Sequence, residues 1–152
     1  MATDLSALAG TGALAGILAF IAGMIVFVII LGVILWIYLS LAFTAIGKKA
    51  KLSSPGIAWI PGVGPLIIAF RTSKMHWWPW LLLLSVFIGL VPIVGQVIYF
   101  AAIIVFSVYS IIWQWKMFEA IDKPGWWAIL PVIPIIGSIA YLVVAGMAAW
   151  GK

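Results

Sequence analysis

Apolar positions run along this chain in long blocks, and polar positions gather in three narrow gaps between them. The first block, from Gly12 to Ile46, holds neither a charge nor a proline, and Lys48, Lys49 and Lys51 close it. The second, Gly56 to Phe70, ends at Arg71, Lys74 and His76. The third opens at Trp77, is cut at Pro92 and ends at Lys116. The last, Ala128 to Trp150, follows Glu119, Asp122 and Lys123. None of the blocks alternates apolar with polar residues, so the pattern excludes barrel strands. Apolar runs longer than about 18 residues predict membrane-spanning helices. The fold class expected is therefore an all-α integral membrane protein: a long N-terminal transmembrane helix followed by short broken or re-entrant helical hairpins. It forms a single membrane domain over residues 1–152.

Each block predicts one element. The first gives a helix over 12–46, with Thr11 as its cap and Gly47 past its last turn. At 1.5 Å per residue it reaches roughly 50 Å, more than a hydrocarbon core of about 30 Å, so it tilts or projects. The second block is short and carries Pro61, Gly62, Gly64 and Pro65. It predicts a re-entrant segment over 56–70, because a crossing would set Arg71 and Lys74 opposite Lys48. The third predicts a helical hairpin over 77–118, broken at 92–95. The fourth, over 124–150, predicts a broken helix or a hairpin, with its break at Pro134 to Gly137. Three Pro-x-aliphatic-Gly breaks thus punctuate the apolar blocks: Pro61 to Gly64, Pro92 to Gly95 and Pro134 to Gly137. Proline removes a backbone donor and glycine permits unusual angles. Segment length and charge predict a hairpin tip for the second break, a shallow turn for the first and a kink for the third.

Two helix faces carry further information. Gly12, Ala15, Gly16, Ala19 and Gly23 fall on one stripe of the first helix, and small residues let another backbone approach closely. That face predicts docking by a partner chain or by this chain's own later helices. Gln96, Tyr99, Ser107, Ser110 and Gln114 lie within about 80° of arc on the 96–115 helix. Polar groups at this depth face protein or water. Interhelical hydrogen bonding is the first reading of that stripe, and a permeation path is the second.

Composition sharpens the class. The chain is 67% hydrophobic and only 7% charged, with a mean hydropathy of +1.34. That leaves no polar surface for a water-facing domain. The net charge is +5, and all eight basic residues lie in the gaps or at the last position. This distribution points to cytoplasmic basic loops, contact with anionic headgroups of the lipid bilayer and an N-terminus outside, in the cell membrane, and not to nucleic acid. The absence of cysteine removes disulfides and thiolate chemistry.

The chain also repeats itself loosely. Phe43-Thr44-Ala45-Ile46-Gly47-Lys48 matches Phe118-Glu119-Ala120-Ile121-Asp122-Lys123, and each copy leads through Pro-Gly (Pro55-Gly56, Pro124-Gly125) to an aromatic and a break. These motifs, with His76-Trp77-Trp78-Pro79-Trp80, Val91-Pro92-Ile93-Val94-Gly95, Trp115-Lys116-Met117-Phe118 and Lys123-Pro124-Gly125-Trp126-Trp127, resemble an uncharacterised family of small prokaryotic multipass membrane proteins. Its members are sometimes labelled signal peptidase I. The resemblance covers about Phe43 to Tyr141 and implies an architecture, not an activity. Where the family pattern has asparagine after the Pro-aliphatic pair, this chain has Gly64, Gly95 and Gly137.

Candidate chemistry is sparse. Ser53 and Ser54 beside Lys51 are residue types of a serine–lysine peptidase pair, but they sit in a polar loop with no catalytic domain around them. His76 is the lone histidine, beside an interfacial tryptophan anchor, and one histidine does not build a metal site. Glu119 and Asp122, with Lys116 and Lys123, predict a neutralised ion-pair cluster. Neither a cofactor nor a metal is expected, and an enzyme is not. The function expected is a non-catalytic accessory or scaffold subunit of a larger membrane assembly, with other membrane subunits or copies of itself as partners. The alternatives are a small oligomeric channel or transporter lined by the polar stripe, and a membrane-shaping hairpin protein.

Overall fold

The structure is a computed structural model that describes residues 1–152, the side chain of Ala2 excepted. It is all-helical, with no strand among the described residues. Two helices, Thr3–Lys49 and Val94–Glu119, are long and apolar enough to cross a membrane. The chain divides into two units, Met1–Ile37 and Tyr38–Lys152.

The first helix, α1, runs Ala2–Lys49 without interruption. It begins ten residues earlier than the 12–46 expected. Thr11 is interior, and its hydroxyl donates to Leu8 O at 2.9 Å. Within the first unit every described residue from Thr3 to Ile34 is exposed. Gly12, Gly16 and Gly23 each face open space.

The second unit begins with the last turns of α1 and continues as three hairpins. Each hairpin has a tight 3-10 outgoing arm and an α-helical return. The first pairs Pro55–Trp59 with α2, Gly64–Ser73. The second pairs Trp78–Leu84 and the single turn α3, Ser85–Ile88, with α4, Val94–Glu119. The third pairs Gly125–Val132 with α5, Ile136–Trp150. The 124–150 segment is thus a hairpin, and its break is a tip like the other two, not a kink. In the third arm Pro131 lies inside the helix and cannot donate to an α-helical ladder, whereas Pro55 and Pro79 open their arms in the first turn, where no donor is needed.

The ends of α1 and α4 are alike. Leu52 N–H bonds Gly47 O at 3.0 Å and Lys51 N–H bonds Lys48 O at 3.0 Å, around a left-handed Lys51. Lys123 N–H bonds Phe118 O at 2.9 Å and Asp122 N–H bonds Glu119 O at 3.1 Å, around a left-handed Asp122. Both are Schellman caps. Gly47 is therefore not the residue past the last turn; it lies inside α1. Its place is set by packing, since a Cβ there would stand 3.1 Å from Pro55 Cβ and 3.3 Å from Ile68 Cδ1. The matched repeat residues share a buried role, Phe43 with Phe118 and Ile46 with Ile121, but the first copy reaches its cap one turn later.

The core lies at the basic end of this unit, built on Phe43, Ile46, Ile68, Met117, Phe118 and Trp113. Trp80 stacks on Trp113 at 5.4 Å, with Phe70 and Phe106 edge-on to Trp113. Trp113 is fully buried and Trp127 nearly so, so these rings are core residues. Trp77, Trp78, Trp126 and Trp150 are exposed.

Candidate functional site

All three tips close on a glycine, and the second and third share one backbone turn. At Ile93 (φ 64, ψ −73) and Ile135 (φ 61, ψ −75) the backbone makes a three-residue γ-turn. Val94 N–H donates to Pro92 O, and Ile136 N–H to Pro134 O, both at 2.8 Å. This positive-φ turn is rare and strained, more so on a β-branched residue. In the first tip Gly62 takes the same position at φ +80. Gly64 N–H there donates to Ile60 O at 2.9 Å.

The glycine that closes each tip is fixed by a close approach. A Cβ on Gly64 would collide with the Ala58 carbonyl oxygen, on Gly95 with that of Ile88, and on Gly137 with that of Leu130. No side chain fits at any of the three positions. Around these turns the apolar residues point outward: Ile93 is 79% exposed and Ile135 77%.

The opposite end is polar and basic. Tyr38 Oη donates to Leu142 O at 2.6 Å, and Lys49 Nζ to Ala148 O at 2.8 Å and Gly151 O at 2.6 Å. Earlier residues of α1 thus meet earlier residues of α5, so the end of α1 runs parallel to α5. Gln114 with Tyr141, and Lys123 with Lys152, set α4 parallel to α5 in the same way. Phe70, late in α2, meets Trp113, late in α4. The C-termini of α1, α2, α4 and α5, and all eight basic residues, gather at this end. The tips reach different distances from it: α2 has 10 residues, α5 has 15 and α4 has 26, or about 15, 22 and 39 Å.

The polar stripe of α4 does not act as one surface. Ser107 Oγ donates to Ile103 O at 2.8 Å and Ser110 Oγ to Phe106 O at 2.9 Å, both within the helix. Gln96 is exposed beside the tip. Tyr99 packs over Gly89 in the outgoing arm. Gln114 alone joins helices, accepting from Tyr141 Oη at 2.7 Å.

The charged junction is also arranged differently from expectation. Glu119 Oε1 accepts from Trp115 Nε1 at 2.6 Å. Trp115 lies over Gly125, where no Cβ fits. Among the described residues the one ion pair joins the N-terminal ammonium to Asp4 at 3.9 Å, so Glu119 and Asp122 pair with neither Lys116 nor Lys123. Ser53, Ser54 and His76 are exposed, and no hydrogen bond joins either serine to Lys51 among the described residues. Nothing local in the sequence marks Tyr38, or Lys49 as a helix cap; Tyr141, a phenol inside an apolar helix, is the one legible signal. No family model, curated protein or solved structure matches the chain.

Proposed function

We infer that this chain is a non-catalytic integral membrane protein that serves as an accessory or scaffold subunit of a membrane assembly. One observation carries the reading. Residues 38–152 have their own core, while the α1 residues from Thr3 to Ile34 bury nothing, and Gly12, Gly16 and Gly23 stand on an open stripe. Membrane helices associate through such close-approach faces. Trp-rich hairpin entries and Pro-aliphatic tips, the motifs that carry the family resemblance, support placing the chain with that family. The eight basic residues are assigned to the cytoplasmic headgroup side, with the hairpins re-entrant from it.

Purification in mild detergent tests this reading. Wild-type chain is expected to carry larger membrane subunits with it, and Gly16→Leu with Gly23→Leu to release them. An isolated monomer in both cases overturns it.

A second reading, membrane shaping, is favoured by the hairpins alone. They open toward one end and differ in depth, so they wedge one leaflet more than the other. Purified chain would then tubulate vesicles; vesicles left spherical at high protein density count against it. The channel reading finds no comparable support, because Ser107 and Ser110 bond to their own helix and Gln114 to Tyr141.

A further inference from the structure

At the basic end, the last residue of α1 and the residues following α4 and α5 surround an open cup of about 430 Å³, lined by Lys49, Asp122, Lys123, Gly151 and Lys152 among others. Helix C-termini carry partial negative charge on their free carbonyls. Bare, such an end would repel an anion. Here lysines cover it: Lys49 Nζ donates to Ala148 O and Gly151 O, and Lys123 Nζ donates to Lys152 O at 2.9 Å. An ammonium group has three N–H donors. Lys49 therefore keeps one for a ligand, Lys123 keeps two, and Lys152 keeps all of its own. Asp122 also lines the cup; its backbone is left-handed (φ 58), and it has no ion-pair partner among the described residues.

A lining that holds lysines together with an aspartate outside any ion pair matches a zwitterion better than a simple anion. A phosphodiester accepts from the lysines through charge-assisted bonds. A primary ammonium two carbons from that phosphate donates to the carboxylate. A trimethylammonium lacks those donors, and a glycerol headgroup lacks the positive charge. We propose that the cup holds the headgroup of one phospholipid of the phosphatidylethanolamine class, its phosphate on Lys123 and Lys152 and its ammonium on Asp122. The inference rests on the reading that the basic end lies at headgroup level.

Native mass spectrometry of the full chain, released from bilayers of phosphatidylethanolamine, phosphatidylglycerol or phosphatidylcholine, tests it. One phosphatidylethanolamine is expected to stay with each wild-type chain. Lys123→Gln with Lys152→Gln lowers retention about thirtyfold, since each lysine at the headgroup surface contributes about 1 kcal/mol. Lys48→Gln with Lys116→Gln, at the same end but outside the cup, leaves retention unchanged. Asp122→Asn abolishes the preference for phosphatidylethanolamine over phosphatidylglycerol. Equal loss in both lysine pairs, or equal retention of all three lipids, overturns the site and leaves a diffuse cationic surface. Displacement of the lipid by millimolar inorganic phosphate reassigns the cup to free phosphate and overturns it too. Chain that resists carbonate extraction yet keeps no phospholipid sinks the headgroup site alone. Chain released by carbonate sinks the embedded reading beneath it.

Discussion

Tyr141 Oη donates a 2.7 Å hydrogen bond to Gln114 Oε1 and ties α5 to α4 inside an otherwise apolar interface. Phe118 packs edge-on against the same tyrosine ring, with centroids 6.3 Å apart. Tyr141→Phe keeps the ring and removes the donor, leaving the half-buried Gln114 carbonyl without its partner. The expected cost is about 1 kcal/mol, the usual scale for an interhelical side-chain bond in membranes. Thermal unfolding in detergent measures it. Combined with Gln114→Leu, the loss should shrink, because both polar partners are then gone.

Glycine at the tips is expected to be irreplaceable. Gly95→Ala and Gly137→Ala each drive a methyl into a backbone carbonyl that a hairpin arm holds in place. Each should destabilise by about 1–3 kcal/mol, as overpacking does. Gly12→Ala, facing open space, should leave unfolding of the detergent-solubilised chain unchanged. Equal effects at all three positions would refute the close approach.

The strained isoleucines should behave in opposite ways in two media. Ile93→Gly and Ile135→Gly relieve a positive φ that costs a side-chain-bearing residue about 1–3 kcal/mol, and so should raise stability in detergent. Each also deletes a mostly exposed apolar side chain from a tip. If the tips insert into hydrocarbon, that loss weakens membrane retention by about 1.5–3 kcal/mol per residue. Retention equal to wild type in a vesicle-partition assay would place the tips outside the hydrocarbon.

Lys49→Met removes two charge-assisted bonds from the end of α5. The site is partly open to solvent, so the expected loss is about 1 kcal/mol rather than the larger value of a buried pair. The effect should appear as faster hydrogen exchange at Gly151, whose N–H bonds Met147 O at 2.8 Å. Unchanged exchange there would remove Lys49 from the capping role.

Topology has a direct test, since the chain contains no cysteine. Single cysteines replacing Lys48, Arg71 and Lys116 should all label from the same side. Arg71 labelling opposite Lys48 would refute a first hairpin that returns to its own face.

Much of the architecture is local and was therefore written in the sequence. Apolar runs without alternation specify helices, proline ends them, and lysines mark where the chain leaves the apolar phase. These signals located the 92–95 tip and the polar gaps without any knowledge of neighbours. Tertiary structure decided what depends on residues distant in the chain. Gly47 reads as a helix stop until Pro55 and Ile68 are found against it. Trp80, in the cluster beside His76, reads as part of an interface anchor until it is found stacked on Trp113. Pro134 to Gly137 reads as a kink until Leu130 is brought over Gly137, which makes it the same turn as Pro92 to Gly95. The sequence by itself determined that the chain breaks at these points. Only the packing of one backbone against another, which no local propensity encodes, decided that the 92–95 and 134–137 breaks are equivalent tips and that α1, α2, α4 and α5 all end at one basic end.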